Sequence, residues 1–164
     1  MGTRSMIAIQ NPYSKDIRAV YCHWDGYLEH NGSLLHKHYS ASPKANNLIA
    51  LGDISSLKAE IGEKHAFSQF DLPKDEVEAF KAATENMCTF YTRDRGESTP
   101  FKVFPTLAKA ADYYDGCGVE YLYVYKYNKS DDYQSGEWHY KQMGGRWKKL
   151  APAIRKLKAE ECAA

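Results

Sequence analysis

The sequence predicts an α+β fold in a single domain spanning residues 1–164, with a mainly antiparallel sheet and helices packed on one side. Three observations carry the expectation. The chain opens on two strand-like runs joined by a polar loop, its last third reads as three further strands, and amphipathic helical stripes occupy much of the interval. A length of 164 residues sits near the usual size of one domain.

Residues 6–10 and 17–24 are β-branched and aromatic runs flanking Asn11-Pro12-Tyr13-Ser14-Lys15-Asp16, so the first element is a hairpin. After Asp25-Gly26, residues 33–40 place Leu34, Leu35 and His38 at helical spacing. Ser42 is expected to cap a second helix with Pro43 at its first position, Leu48, Ile49 and Leu51 on its buried side and Gly52 as its left-handed stop. In residues 53–71, Ile54, Leu57 and Ile61 suit a short helix, whereas residues 65–70 suit an extended segment. Residues 74–84 form a clearer helix, with Val77, Phe80 and Ala83 on one stripe and Asp75, Glu76 and Glu78 near the positive end of its dipole. Residues 87–92 read as a strand. Thr106 caps a helix over 107–114 that stops at Asp115-Gly116-Cys117-Gly118. Residues 119–127, 137–142 and 146–150 then form a meander with Gly144-Gly145 at a tight turn. Pro152 starts a terminal helix with Ile154 and Leu157 inward and Arg155, Lys156 and Lys158 outward.

Composition narrows the function classes. Apolar residues at 43% and charged residues at 26% exclude a disordered, collagen-like or coiled-coil chain. Lys plus Arg number 22 against 21 Asp plus Glu, and the net charge of +1 argues against a protein whose task is to coat nucleic acid. Cys22, Cys88, Cys117 and Cys162 are too widely spaced for a metal knuckle or a secreted disulfide framework and read as free thiols in a reducing cytoplasm. The start lacks a basic region followed by an apolar stretch, and the longest apolar run covers only residues 121–125, so neither a signal peptide nor a membrane contact is expected. The 13 tyrosines are the outstanding bias.

Four groups of residues invite a functional reading. Tyr21-Cys22-His23-Trp24-Asp25-Gly26-Tyr27 leaves a strand through a turn, where side chains are held on a rigid element. There His23 and Asp25 suit an acid–base pair with the carboxylate orienting the imidazole, and Trp24 and Tyr27 suit stacking; alternatively these are core aromatics around an ordinary turn. Tyr91-Thr92-Arg93-Asp94-Arg95-Gly96-Glu97 presents Arg93 and Arg95 on a flexible loop, a fork suited to phosphate, unless the run neutralises itself through local ion pairs. Strand alternation sets Tyr121, Tyr123, Tyr125 and Tyr127 on one face and Leu122 and Val124 on the other. Those tyrosines, with Trp138 and Tyr140, either form an exposed aromatic platform or pack under the helices. Finally, Lys141, Arg146, Lys148, Lys149, Arg155, Lys156 and Lys158 form a basic tail, read as a solvated face and not as a nucleic-acid groove. No metal is expected, since His36 and His38 diverge on a helix and no metal-ligand spacing occurs. No cofactor is expected either, and the P-loop, dinucleotide and nucleophile-elbow fingerprints are missing from the sequence. The adjacent Cys22 and His23 point to opposite faces of a strand and do not form a nucleophile–base pair.

The segments Thr3-Arg4-Ser5, YCHWDGYLEHNG at 21–32, LGDISSL at 51–57, IGEKH at 61–65 and CTFYTRDRGE at 88–97 together resemble a family of small proteins encoded by tailed bacteriophages and prophages. The family brings no assigned reaction, so no catalytic residue is carried over. The resemblance implies an accessory product acting in the host bacterial cytoplasm, on signalling or immunity. Three roles fit: an oligomeric binder that sequesters a small phosphate-bearing nucleotide without turnover through Trp24, Tyr27, Arg93, Arg95, Tyr123 and Tyr125; a phosphodiesterase using His23 and Asp25; or an inhibitor that docks the aromatic face on a host protein.

Overall fold

In the computed structural model, which describes residues 2–163, the opening hairpin is β1 (Ser5–Gln10) and β2 (Ile17–Cys22), with Ser5 opposite Cys22 and Gln10 opposite Ile17. The Asn11 side chain closes its turn by accepting from the Tyr13 and Ser14 amides at 2.8 and 3.1 Å. A π-helical turn, Leu28–Gly32, runs into α1 (Ser33–His38), and α2 (Ser42–Ala50) follows with Pro43 in its first turn. The cap of α2 is Ala41 and makes no side-chain bond, one residue before the expected Ser42.

The helix considered for residues 53–71 is replaced by β3 (Ile54–Ser56) and a long irregular stretch. Ile54 lies beside Cys22 in parallel register and opposite Phe90 of β4 (Thr89–Phe90), so burial between two strands overrides the helical spacing of Ile54, Leu57 and Ile61. Next, α3 (Val77–Thr84) has no buried residue. The strand expected over 87–92 is cut short because the chain turns at Tyr91 into α4 (Tyr91–Arg95). Then come β5 (Lys102–Phe104), antiparallel to β2, and α5 (Leu107–Asp115), whose first turn is capped by Thr106 accepting from the Lys109 amide at 3.2 Å. The meander is β6 (Tyr121–Tyr127), β7 (Gly136–Gln142) and β8 (Lys148–Lys149), and α6 (Leu150–Ala163) closes the chain.

All strands join one sheet in the order β4-β3-β2-β1-β6-β7-β8, with β5 sharing the outer edge of β2. Most pairings are antiparallel, but β2 with β3 and β1 with β6 run parallel, with Ser5 beside Tyr121 in the latter. One sheet face, carrying Ile7, Val20, Tyr123, Tyr125 and Trp138, packs with Leu35 of α1, Leu48 of α2 and Ile154 of α6. The other face, carrying Met6, Ala8, Leu122 and Val124, is covered by Ala110, Ala111 and Tyr114 of α5. The helices expected on one side are therefore α1, α2 and α6, and α5 adds a cover on the second.

That double cover decides the tyrosine question. Tyr123 and Tyr125 are 0% exposed. Their hydroxyls donate to the carbonyls of Gly26 at 2.7 Å and Ser40 at 2.8 Å, and the Trp138 indole donates to the Tyr39 carbonyl at 2.9 Å. Each large ring is buried with its polar tip satisfied, so the aromatic face belongs to the core and does not form a platform for stacking or docking.

Candidate functional site

The parallel pairing of β1 with β6 brings residues 2–4 alongside residues 118–120, and the hairpin brings the end of β2 to the same sheet edge. A cavity of about 520 Å³ opens there, lined by Gly2, Thr3, Arg4, His23, Trp24, Gly118 and Glu120. Its size lies within the range of small-ligand pockets, roughly 300–1,000 Å³.

Backbone bonds fix the walls. The His23 and Trp24 amides donate to the Ile54 and Ser55 carbonyls at 3.0 and 3.1 Å, and the Gly26 amide donates to the Thr3 carbonyl at 2.7 Å. Beneath them the buried Asn31 side chain donates to the Trp24 carbonyl and Ser5 Oγ, each at 3.3 Å. The chain reverses at Asp25 with φ 56°, an uncommon conformation that Asp tolerates. Two close approaches complete the cavity. A side chain on Gly2 would lie 2.6 Å from Trp24 Cε3, so the indole rests on bare backbone. Gly118, at φ 76°, leaves room for the Arg4 guanidinium, which donates to the Cys117 carbonyl at 3.3 Å; a Cβ there would stand 2.9 Å from Arg4 Nη1.

His23 carries the site's acid–base character. Its Nδ1 lies 2.8 Å from the Tyr21 hydroxyl, and its ring meets Trp24 edge to face at 4.6 Å. Burial and then the Arg4 charge lower its pKa from 6.5, which favours a neutral imidazole at pH 7. Burial also raises the Tyr21 pKa, keeping that phenol protonated. When the phenol donates to Nδ1, the imidazole proton sits on Nε2 and is available as a donor; in the other tautomer Nδ1–H donates to the phenol oxygen. The expected orienting partner is therefore corrected: Tyr21, and not Asp25, holds His23.

A second cavity of about 270 Å³ adjoins the first and is lined by Tyr21, Asp53, Lys102, Tyr113, Tyr114 and Cys117. Asp53 Oδ1 accepts from the Tyr21 amide at 2.9 Å, and burial raises the pKa of its carboxyl against the opposing pull of that bond and of Lys102. The Lys102 ammonium lies 5.6 Å from the centre of the Tyr113 ring. The buried Tyr114 hydroxyl has no hydrogen-bond partner.

Other expected ligand contacts are corrected. Arg93 does not face a ligand: its guanidinium donates to Asp94 at 3.0 and 3.1 Å and to the Ile61 and Cys88 carbonyls at 2.8 Å each. Asp94 in turn accepts from the Phe90 and His65 amides at 2.8 and 3.1 Å. The pair ties the irregular stretch to β4 and α4. Arg95 pairs with Glu97 at 2.9 Å and lies over Phe67 at 4.3 Å, so the run neutralises itself, Arg93 with buried Asp94 and Arg95 with Glu97 on the surface. Tyr27 packs near His30 at 6.1 Å and does not line the cavity. Trp24, 44% exposed, and His23 are the two expected residues that do.

Sequence reasoning missed Arg4, Glu120, Asp53, Lys102 and Tyr114 as site residues. Arg4 and Asp53 lie inside the quoted segments Thr3-Arg4-Ser5 and LGDISSL, but their chemistry emerges only once β6 and α5 are placed beside them. All four cysteines are free thiols. Among the described residues no three His, Cys, Asp or Glu side chains are grouped to hold a metal ion, and no helix is long and apolar enough to cross a membrane. No family model, curated protein or solved structure matches the chain.

Proposed function

We propose that the protein is a phage-encoded accessory factor that binds a small phosphate-bearing nucleotide in the Arg4–His23–Trp24 cavity and sequesters it without turnover in the host bacterial cytoplasm. The observation that carries this reading is the meeting, in one cavity of about 520 Å³, of a guanidinium, a neutral imidazole and a half-exposed indole. Arg4 neutralises phosphate through charge-assisted bonds, His23 Nε2 donates to a further oxygen, and Trp24 supplies a flat apolar wall for a ring. Glu120 on the rim repels a second anion and so favours a ligand with localised charge.

Binding is preferred to hydrolysis because His23 is held by a phenol and not a carboxylate, which leaves it weakly basic. Titration calorimetry against a panel of nucleotides tests the proposal: one binds, Arg4→Ala weakens it at least about tenfold, and the nucleotide is recovered unchanged after heat denaturation. Accumulation of hydrolysed product would replace sequestration by the phosphodiesterase reading with His23 as acid or base. A host-protein inhibitor has lost its proposed surface, since the aromatic face is buried.

A further inference from the structure

Tyr21 links the two cavities. Its ring lines the second while its hydroxyl holds His23 in the first, and the backbone passes from Cys117 in one lining to Gly118 in the other. Whatever places a phosphate on Arg4 therefore has a polar, aromatic-walled recess beside it.

The contents of that recess are specific. Asp53 uses Oδ1 for the Tyr21 amide and leaves Oδ2 free to accept, and Lys102 is an exposed cation on the same rim. Tyr21 and the exposed Tyr113 line the recess, over the buried Tyr114. A flat ligand that satisfies this set presents a hydrogen-bond acceptor to the ammonium and donors to the carboxylate along one edge. Among nucleobases, guanine alone offers the sequence carbonyl oxygen, ring N–H, exocyclic NH₂. Adenine offers a donor beside an acceptor, cytosine places its one amino donor where Lys102 needs an acceptor, and uracil follows its ring N–H with a second carbonyl that faces the carboxylate.

We propose that the Asp53–Lys102 cavity is a base-recognition subsite for guanine, with the attached phosphate on Arg4 and the sugar covered by Trp24. This deepens the nucleotide-binding reading and rests on it. Burial raises the pKa of the Asp53 carboxyl, as befits a group held out of bulk water until donors arrive.

The test is calorimetric titration of the full chain with guanosine, adenosine and uridine monophosphates and with inorganic phosphate. Guanosine monophosphate is expected to bind about tenfold to a hundredfold more tightly than the other two nucleotides. Asp53→Asn keeps the acceptor for the Tyr21 amide but replaces the free oxygen by a donor, and it should erase that preference. Lys102→Ala, a change on an exposed side chain, should reduce the preference as well and decides the matter if Asp53→Asn fails to fold. Arg4→Ala should weaken all three nucleotides in equal proportion and leave the preference intact. Equal binding of the three nucleotides, a preference untouched by Lys102→Ala, or phosphate binding as tightly as any nucleotide overturns the guanine subsite while leaving the Arg4 cavity in place. Absence of all nucleotide and phosphate binding overturns both.

Discussion

Asp94→Ala should be among the most damaging single substitutions in this chain. The Asp94 side chain is fully buried and the Arg93 side chain beside it is 13% exposed. Deleting the carboxylate leaves a largely desolvated guanidinium with no anionic partner, facing two carbonyl oxygens and the Phe90 ring, and orphans the Phe90 and His65 amides. Removing one member of such a pair typically costs about 3–5 kcal/mol, against a whole-domain stability of roughly 5–15 kcal/mol. For a chain of this size that corresponds to a fall in Tm of roughly 6–20 °C. Urea unfolding followed by circular dichroism at pH 7 measures it, with Arg93→Ala and the double variant completing a cycle. The two losses should overlap, so that the double variant is less destabilised than their sum by about 1–3 kcal/mol. The pH dependence supplies a second check. Burial opposes ionisation of Asp94, but the bonds from Arg93, Phe90 and His65 outweigh it and hold its pKa below the ordinary 3.8. Its stabilising contribution is present above that value and is lost as pH falls through the lower folded-state value, so wild type and variant should converge in strong acid. A loss under about 1 kcal/mol at pH 7, or strict additivity in the cycle, would refute the scaffold role and return Arg93 to the list of ligand contacts.

Gly118→Ala should cost about 1–2 kcal/mol for its positive φ and, by pushing the Arg4 guanidinium aside, weaken the proposed nucleotide binding as much as Arg4→Ala does; calorimetry showing full affinity would contradict the packing. Tyr114→Phe removes a buried hydroxyl without a partner, so stability should hold or rise by about 1 kcal/mol, and a clear drop in the urea midpoint would mean that the hydroxyl is bonded. His23, His36, His38 and His139 all have pKa values lowered from 6.5, chiefly by burial. The unfolded chain therefore binds more protons between those values and 6.5, and stability should climb as pH rises through that interval; a urea midpoint that falls from pH 5 to 7 would contradict the assigned neutral rings.

Legibility of the fold followed local completeness. The Asn11 turn, the Thr106 cap and the Gly144-Gly145 hairpin are each written in a few consecutive residues, and β1, β2, α5, β6 and β7 follow from them. Ile54 to Ser56 became a strand because Cys22 and Phe90 flank it, a circumstance no window around residue 54 contains. The tyrosines of β6 were ambiguous for a related reason. Alternation assigns faces but does not reveal that α5 covers one and that α1, α2 and α6 share the other. Within the site, His23 and Trp24 were readable because strand ends present side chains to loops. Arg4 was not, because its role depends on a partner strand more than a hundred residues away.

That distance shapes how the molecule comes into being. During synthesis β1 can pair with β2 almost at once, yet its other edge and the far wall of the Arg4 cavity wait for residues 118–127 to be made. Parallel pairing across so long a loop is slow to form. Until it does, Met6 and Ala8 lie bare beside an open strand edge, the state most prone to mispairing with another chain. A ligand that bridges Arg4 and the backbone near Gly118 would clasp two segments more than a hundred residues apart, stabilising the late closure that creates its own binding place.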